Sequence, residues 1–285
     1  MSLLASRVDG AASDRIPLDD RGLLYGDGLF ETILLHRGRA VWWREHLDRL
    51  LTSARRLGID CPAEAVWQAD LDAMLADSNP PPRAVLRVSL TRGSSGRGYA
   101  VPDLTADLGA AGSRRLLALY AAPAAKYVEG LRLRTCSLRL SAQPALAGIK
   151  HLNRLEQVLA RLEWRELEAS QRQQFDEGLL LDAAGHAVCT TLGNLLWRDA
   201  EGWHTPPIVD CGIAGICRGE LIDRGWVDER PLAETDRRTV LGLAVCNSVR
   251  GILPVISLDG VVLPQHQVSL TLRDRLIEQE PAFDF

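Results

Sequence analysis

Lysine is almost missing from this chain. Of its 33 basic residues in 285, 31 are arginine and two, Lys126 and Lys150, are lysine. A guanidinium stays protonated at every working pH and cannot attack a carbonyl as a primary amine does, so amine chemistry has two candidates. A basic run is missing too. The net charge is -4 with a pI near 5.9, and the arginines are scattered, which weighs against a nucleic-acid partner. Apolar runs such as residues 240–246 fall far short of the roughly 20 residues needed to cross a bilayer. The opening MSLLASRVDG is broken by Arg7 and Asp9 before the apolar core of a signal peptide can form, so a soluble cytoplasmic protein is expected. The cysteines (Cys61, Cys136, Cys189, Cys211, Cys217 and Cys246) show no CxxC spacing, and the histidines no HxxxH or HExxH pair. No metal site is expected, and the thiols are read as reduced. Gly26-Asp27-Gly28 lacks the third glycine of a dinucleotide fingerprint, and neither GxxxxGK[ST] nor GxSxG occurs, which argues against nucleotide folds and an α/β-hydrolase.

What is present is enough apolar sequence for a sizeable core, 46% against 25% charged, in a length that predicts two domains. Strand-like residues 30–36 and 40–42 flank the turn Arg37-Gly38-Arg39 and predict a hairpin. Trp43, Leu47, Leu50, Leu51, Ala54 and Leu57 recur at helical spacing up to Gly58, with His46, Arg49 and Ser53 on a different face. A second helix over 62–76, strands over 84–91 and 116–121, and a glycine-rich loop over 92–99 complete the first half. Beyond it come a strand over 131–138, a helix marked by Leu152, Leu155, Val158, Leu159, Leu162 and Leu167, and strands over 178–181, 187–191 and 195–198. A helix over 216–224, a strand over 240–246 and a terminal helix over 268–277 follow. The expected fold is α+β, with an N-terminal domain over 1–122, a linker over 123–130 and a C-terminal domain over 131–285.

The two lysines differ in context. Lys126 sits among alanines in the linker and reads as a solvated surface residue. Lys150 follows Gly148-Ile149 and precedes an apolar-periodic helix, where desolvation and the positive helix end would both depress an amine pKa. Spacing alone leaves Lys150 open between a Schiff-base lysine and an ordinary helix-start residue.

The segment LAGIKHLNRLEQ (146–157) resembles the lysine motif of the aminodeoxychorismate lyases, a family within the fold-type-IV pyridoxal phosphate (PLP) enzymes that also include branched-chain and D-amino-acid aminotransferases. DRGLLYGDGLFET (20–32), REHLDRL (44–50), RGSSGRGY (92–99), GNLLW (193–197), AGICR (214–218) and CNSVRGILPV (246–255) fall in the same family order and span nearly the whole chain. The resemblance implies a two-domain, D-amino-acid aminotransferase-like fold, PLP as cofactor, a homodimer, and elimination of pyruvate from 4-amino-4-deoxychorismate to leave 4-aminobenzoate for folate synthesis. Lys150 would then hold PLP covalently and move the substrate proton. Arg49 would clamp the cofactor phosphate, Ile216 and Cys217 would offer it backbone N–H groups at a helix start, and Ser248 a hydroxyl. Without the resemblance Arg49 and Ser248 read as ordinary surface residues. Arg97 and Tyr99 would receive a carboxylate of a dicarboxylate substrate, and Tyr25 is either a crevice aromatic or a core one.

One position departs from the pattern. Relatives carry a glutamate five residues before the asparagine of the GNLLW-type segment, where it keeps the pyridine nitrogen protonated; counting back from Asn194 gives Cys189. A thiol is neutral near pH 7 and substitutes poorly for a carboxylate. Three explanations compete: aromatisation of the product drives a reaction that needs no protonated pyridine, another acidic group takes the place, or activity is lost and the fold kept. The alternatives to the lyase are therefore an amino-acid transaminase of the same fold and a non-catalytic PLP-binding or ligand-binding protein.

Overall fold

The computed structural model describes residues 2–94, 98–101, 112–122, 129–168, 172, 174–233, 235–236, 240–263 and 267–285. Lys126, Arg97 and most of the expected linker lie outside the described residues. Packing divides the chain into two units, one of Met1–Pro123 with Ile149–Asn153 and one of Ala124–Gly148 with Arg154–Phe285. The linear division of the sequence puts 149–153 with the C-terminal part; their packing is with the first unit.

The first unit contains β1 (Leu3–Val8), β2 (Ala11–Ala12), α1 (Arg21–Tyr25), β3 (Gly28–His36), β4 (Arg39–Ala40), α2 (Trp43–Leu57), α3 (Glu64–Ser78), β5 (Arg83–Thr91) and β6 (Arg114–Ala121). The strands form one antiparallel sheet in the order β2-β1-β6-β5-β3-β4. Leu29, Ile33 and Leu35 of β3, every second residue, join Leu47, Leu50 and Ala54 of α2 and Trp67, Leu71 and Met74 of α3 in one core. Helix α2 ends where Gly58 takes a left-handed φ of 60° and donates its N–H to the carbonyl of Ala54. It buries more than its apolar stripe: His46 and Ser53, read as a separate polar face, are buried as well. For His46 the reason is an acid on the strand beneath, described below.

Residues 149–153 add a short ladder to β3. The Phe30 amide donates to the Lys150 carbonyl at 3.0 Å, the Leu152 amide to the Gly28 carbonyl at 2.9 Å, and Leu29 pairs with His151. Ile149 is fully buried in the core of the first unit, and Asn153 donates to the Gly26 carbonyl at 3.1 Å. Gly26 stands at φ 65°, and a Cβ there would lie 2.5 Å from Asn153 Oδ1, so this close approach requires glycine.

The second unit contains β7 (Leu131–Leu140), α4 (Leu155–Leu162), β8 (Glu177–Asp182), β9 (Ala187–Thr190), β10 (Asn194–Arg198), β11 (Trp203–Thr205), α5 (Ile216–Asp223), β12 (Asp228–Glu229), β13 (Gly242–Asn247), β14 (Gly251–Leu258), β15 (Val261–Val262) and α6 (Gln267–Gln279). The pairing order β10-β13-β14-β7-β8-β9 returns to β10 through Asn194 and Cys189, closing a six-stranded ring. Strand β7 runs parallel to both neighbours. Leu131, Leu133, Leu179, Leu181, Leu195, Leu243, Val245 and Val255 share one core, as the period of two demands. Helix α4 is shorter than its apolar pattern predicts and continues as a 3-10 turn, Glu163–Glu166. Among its residues Ala160 is buried, whereas Leu155 (73% exposed), Val158, Leu159 and Leu162 face outward. No helix among the described residues is long and apolar enough to cross a membrane.

Candidate active site

In the first unit the ladder along β3 sets Lys150 beside Phe30. Its Nζ lies 4.3 Å from the centroid of the Phe30 ring, an arrangement in which the ring quadrupole attracts the amine. A second cation uses the same ring: the guanidinium carbon of Arg87, on β5, is 4.1 Å from that centroid. Strand pairing explains the meeting, since Arg87 is opposite Thr32 and Ser89 opposite Phe30, so Arg87 and Phe30 share one face of the sheet. Sequence reading singled out neither Phe30 nor Arg87.

Glu31, the next residue, points the other way, toward α2. Arg49 Nε donates to its Oε1 at 2.8 Å and Nη2 to its Oε2, while His46 Nδ1 lies 2.6 Å from Oε2. Burial alone would raise the Glu31 carboxyl; Arg49 and His46 overcome it and hold the carboxyl down at about 2. An ionised Glu31 assigns the proton to His46 Nδ1, and burial pushes that imidazole below its usual value, with Glu31 opposing and Arg49 and Lys150 reinforcing the shift. His46 Nε2 is buried with no hydrogen-bond partner. Arg49, expected on a polar helix surface, is thus a largely buried guanidinium oriented by an acid that sequence reading did not assign to it.

Asp27 organises the entrance to the glycine-rich loop. It accepts from Arg21 Nε at 2.8 Å and from Arg92 Nε at 2.8 Å, and Arg21 Nη1 also donates to the Gly98 carbonyl at 3.0 Å. The Arg92 and Arg21 guanidinium groups together hold the Asp27 carboxyl below the usual range against the opposing effect of burial. The held loop brings Tyr99 to Tyr25, ring centroids 5.3 Å apart, and Tyr99 stays 85% exposed.

In the second unit the loop before α5 is fixed from two sides. Gly148 donates to the Gly212 carbonyl at 3.0 Å and accepts from the Ala214 amide at 3.2 Å; Asn194 Nδ2 donates to the Ile213 carbonyl at 2.8 Å. Gly215 caps α5 without a side-chain hydrogen bond, and a Cβ there would lie 2.0 Å from Asn194 Oδ1. The first-turn amides of Ile216 and Cys217 therefore point out of a cradle kept small by glycine, at the end of the helix that favours an anion. Cys217 offers only its backbone: hydrogen bonding with Cys246 and burial push its thiol well up. Ser248 lies in the turn after β13, where Asn247 Oδ1 accepts from the amides of Val249 and Arg250 at 3.0 and 2.9 Å.

Cys189 lies on β9 opposite Leu180, in an apolar cluster with Cys136, Leu140, Val188 and Ala160. Burial, with Cys211 adding to it and Arg154 opposing, pushes its thiol up to about 12. It is neutral at any working pH.

The amino-transferase class IV family model matches residues 28–258. The chain belongs to the amino-transferase class IV family. This class IV chain is 30% identical over 273 residues to an aminodeoxychorismate lyase of Vibrio harveyi, covering 93% of this chain and 94% of that protein. The crystal structure of 4-amino-4-deoxychorismate lyase from Pseudomonas aeruginosa matches with a TM-score of 0.85 at 37% identity, covering 96% of this chain and 99% of that one. A D-alanine aminotransferase of Listeria innocua is 26% identical over 259 residues, 86% of this chain and 83% of that protein. The α+β, fold-type-IV architecture expected from the motifs is the one observed.

Proposed function

We propose that this class IV chain is a PLP-dependent lyase that converts 4-amino-4-deoxychorismate into 4-aminobenzoate and pyruvate. The observation that carries the reading is Lys150: one of two lysines, set by backbone pairing on the Phe30 ring, inside the motif with the most lyase-like sequence. The lyase relatives at 30% and 37% identity support it.

The donor set suits PLP at two of its three ends. A lysine amine is available for its aldehyde, and the glycine-lined cradle of Ile216 and Cys217 amides, with Arg49 and the Ser248 hydroxyl, would take its phosphate. The third end does not match: Cys189 gives the pyridine nitrogen a neutral neighbour where relatives give it a carboxylate. PLP, when bound, supplies an electron sink to the carbon that carries the substrate amine. Lys150 would remove the ring proton as the ring C–O bond breaks and pass it to the departing enolpyruvyl group, which leaves as pyruvate, so that the ring becomes aromatic with no oxidant. Glu31 and His46 hold the Arg49 guanidinium in one orientation, and Tyr25 with the loop of Tyr99 and Arg97 would receive the substrate carboxylate.

The neutral neighbour favours elimination over transamination. Elimination ends in an aromatic ring, which supplies driving force, whereas transamination depends on a stabilised carbanion that a protonated pyridine would give. The outward apolar row Leu155, Val158, Leu159 and Leu162 supports a homodimer, the assembly the resemblance implies. Incubation with aminodeoxychorismate and, separately, with D-alanine plus 2-oxoglutarate tests the reading: 4-aminobenzoate and pyruvate are expected from the first, and turnover of the second pair alone would replace the lyase with a transaminase.

A further inference from the structure

The pyridine end is where this donor set and PLP part, and the second unit holds something other than an acid there. Cys189 pairs directly with Asn194 across β9 and β10, so the two side chains share a face, and Asn194 also holds the Ile213 carbonyl in the loop before α5. Residue 189 is thereby tied to the phosphate cradle. Besides burial and Cys211, two carboxylates reinforce the rise of the Cys189 thiol, Glu156 and Glu177. Both are engaged elsewhere. Glu156 Oε1 accepts from the Ser141 amide at 2.9 Å. Glu177 Oε1 accepts from the Gly178 and Thr191 amides at 2.9 and 3.1 Å and from the Thr191 hydroxyl, and its Oε2 faces Arg161 at 3.5 Å. Neither acid is left to stand in for the missing glutamate.

A cation is there instead. Arg154 opposes the rise of the Cys189 thiol, and burial lowers the Arg154 value with Cys189 and Glu156 opposing. Its Nε is buried. The chain delivers it to this place because Arg154 is the N-cap residue of α4, and α4 packs Ala160 into the apolar cluster that holds Cys189. A guanidinium keeps its protons at working pH, and a thiol pushed up to about 12 keeps its own. Each can donate a hydrogen bond to a ring nitrogen, and neither can hand it a proton.

We propose that Arg154 is a cofactor-binding residue that donates to the pyridine nitrogen of PLP and leaves that nitrogen unprotonated. The assignment rests on the reading of the chain as a PLP enzyme and deepens it: the pyridine end is built around a neutral ring and is not merely short of an acid. A neutral ring withdraws electrons weakly, which suits an elimination that ends in an aromatic product.

Equilibrium titration of the full chain with PLP and with its deaza analogue, which carries C–H in place of the ring nitrogen, tests this without turnover. The wild type is expected to bind PLP about 10- to 100-fold more tightly than the analogue, the scale of one charge-assisted hydrogen bond. Arg154→Met should shrink that preference to less than about threefold. Arg154→Gln, which keeps a shorter neutral donor, should fall between and serves if the methionine variant does not fold. NMR of an isotope-labelled ring nitrogen in the PLP-loaded wild type should show an unprotonated pyridine at neutral pH. A wild type that does not prefer PLP, a preference that survives Arg154→Met, or a pyridinium signal in the wild type overturns the proposal. No PLP binding at all, with no phosphopyridoxyl group on Lys150 after borohydride reduction, overturns it together with the PLP reading. Failure of the lyase reading alone looks different: no 4-aminobenzoate from aminodeoxychorismate, with the Arg154-dependent preference intact.

Discussion

Glu31 in the first unit and Cys189 in the second are both acids in the interior, 2% and 8% exposed, and they finish at opposite extremes. The carboxyl is held at about 2 and the thiol at about 12. Burial acts in the same direction on both, disfavouring the charged form. What differs is the company. Glu31 has a guanidinium and an imidazole at hydrogen-bonding distance, whereas Cys189 is packed among Leu180, Val188, Ala160 and Cys136, and Arg154 only moderates its shift. Of these two buried acids, the charged one is the one that a cation touches. Among the candidate site residues, the first unit supplies charged side chains, Lys150 and Arg49, whereas the second supplies the backbone amides of Ile216 and Cys217 and the neutral thiol of Cys189.

The harshest break in that comparison is Lys150→Arg, which keeps the positive charge on the Phe30 ring and deletes the amine. Turnover should fall by at least about 10^3-fold, and borohydride reduction followed by mass spectrometry should find no phosphopyridoxyl group on residue 150, unlike the wild type. If the variant keeps its rate, the amine is not the reactive group.

Removing the charge from Glu31 is the next largest change. Glu31→Gln leaves Arg49 without its counter-charge and should cost about 3 kcal/mol in urea unfolding at pH 7, in line with the shift from 4.5 to about 2. The sign follows from the depressed folded value: the contribution is present above the unfolded pKa near 4.5 and is lost as pH falls toward 2. The gap between wild type and variant should therefore close on acidification. A gap that stays constant from pH 7 to pH 3 would show that Glu31 acts by packing and not by charge.

Cys189→Glu sharpens the comparison with the smallest effect. It places a carboxylate in the second unit with Arg154 as the nearby cation. The absorption spectrum of the bound cofactor should shift, and half-transamination with D-alanine should rise roughly tenfold, equivalent to about 1.4 kcal/mol in the barrier. Unchanged spectrum and rates would mean that residue 189 does not neighbour the pyridine nitrogen.

Local pattern made several elements readable before folding. Helix α2 runs over Trp43–Leu57, as its apolar spacing and Gly58 predict, and α5 begins at Ile216 after Gly215. The sequence does not mark strand β14: Pro254 lies in its middle, and a residue without an N–H argues against a paired strand, yet Pro254 sits opposite Ala244 of β13. Nor does it mark strand β1, whose residues are half-buried or exposed and do not alternate clearly. The polar face read on α2 turned inward, since His46 and Arg49 answer Glu31, an acid on another element whose facing is invisible in a linear reading.

By itself the sequence narrowed amine chemistry to two residues, Lys126 and Lys150, because a guanidinium cannot do it, and determined which position lacks the usual acid, because a thiol at 189 is a matter of residue type. Tertiary structure alone decided the neighbours. Arg87 meets Lys150 on the Phe30 ring because β5 pairs with β3 in one register and residues 149–153 pair with β3's other edge. Electrostatic interactions fall off over a few ångströms, so the charge state and partner of each group follow from contacts made across the sheet, and no local pattern along the chain encodes them.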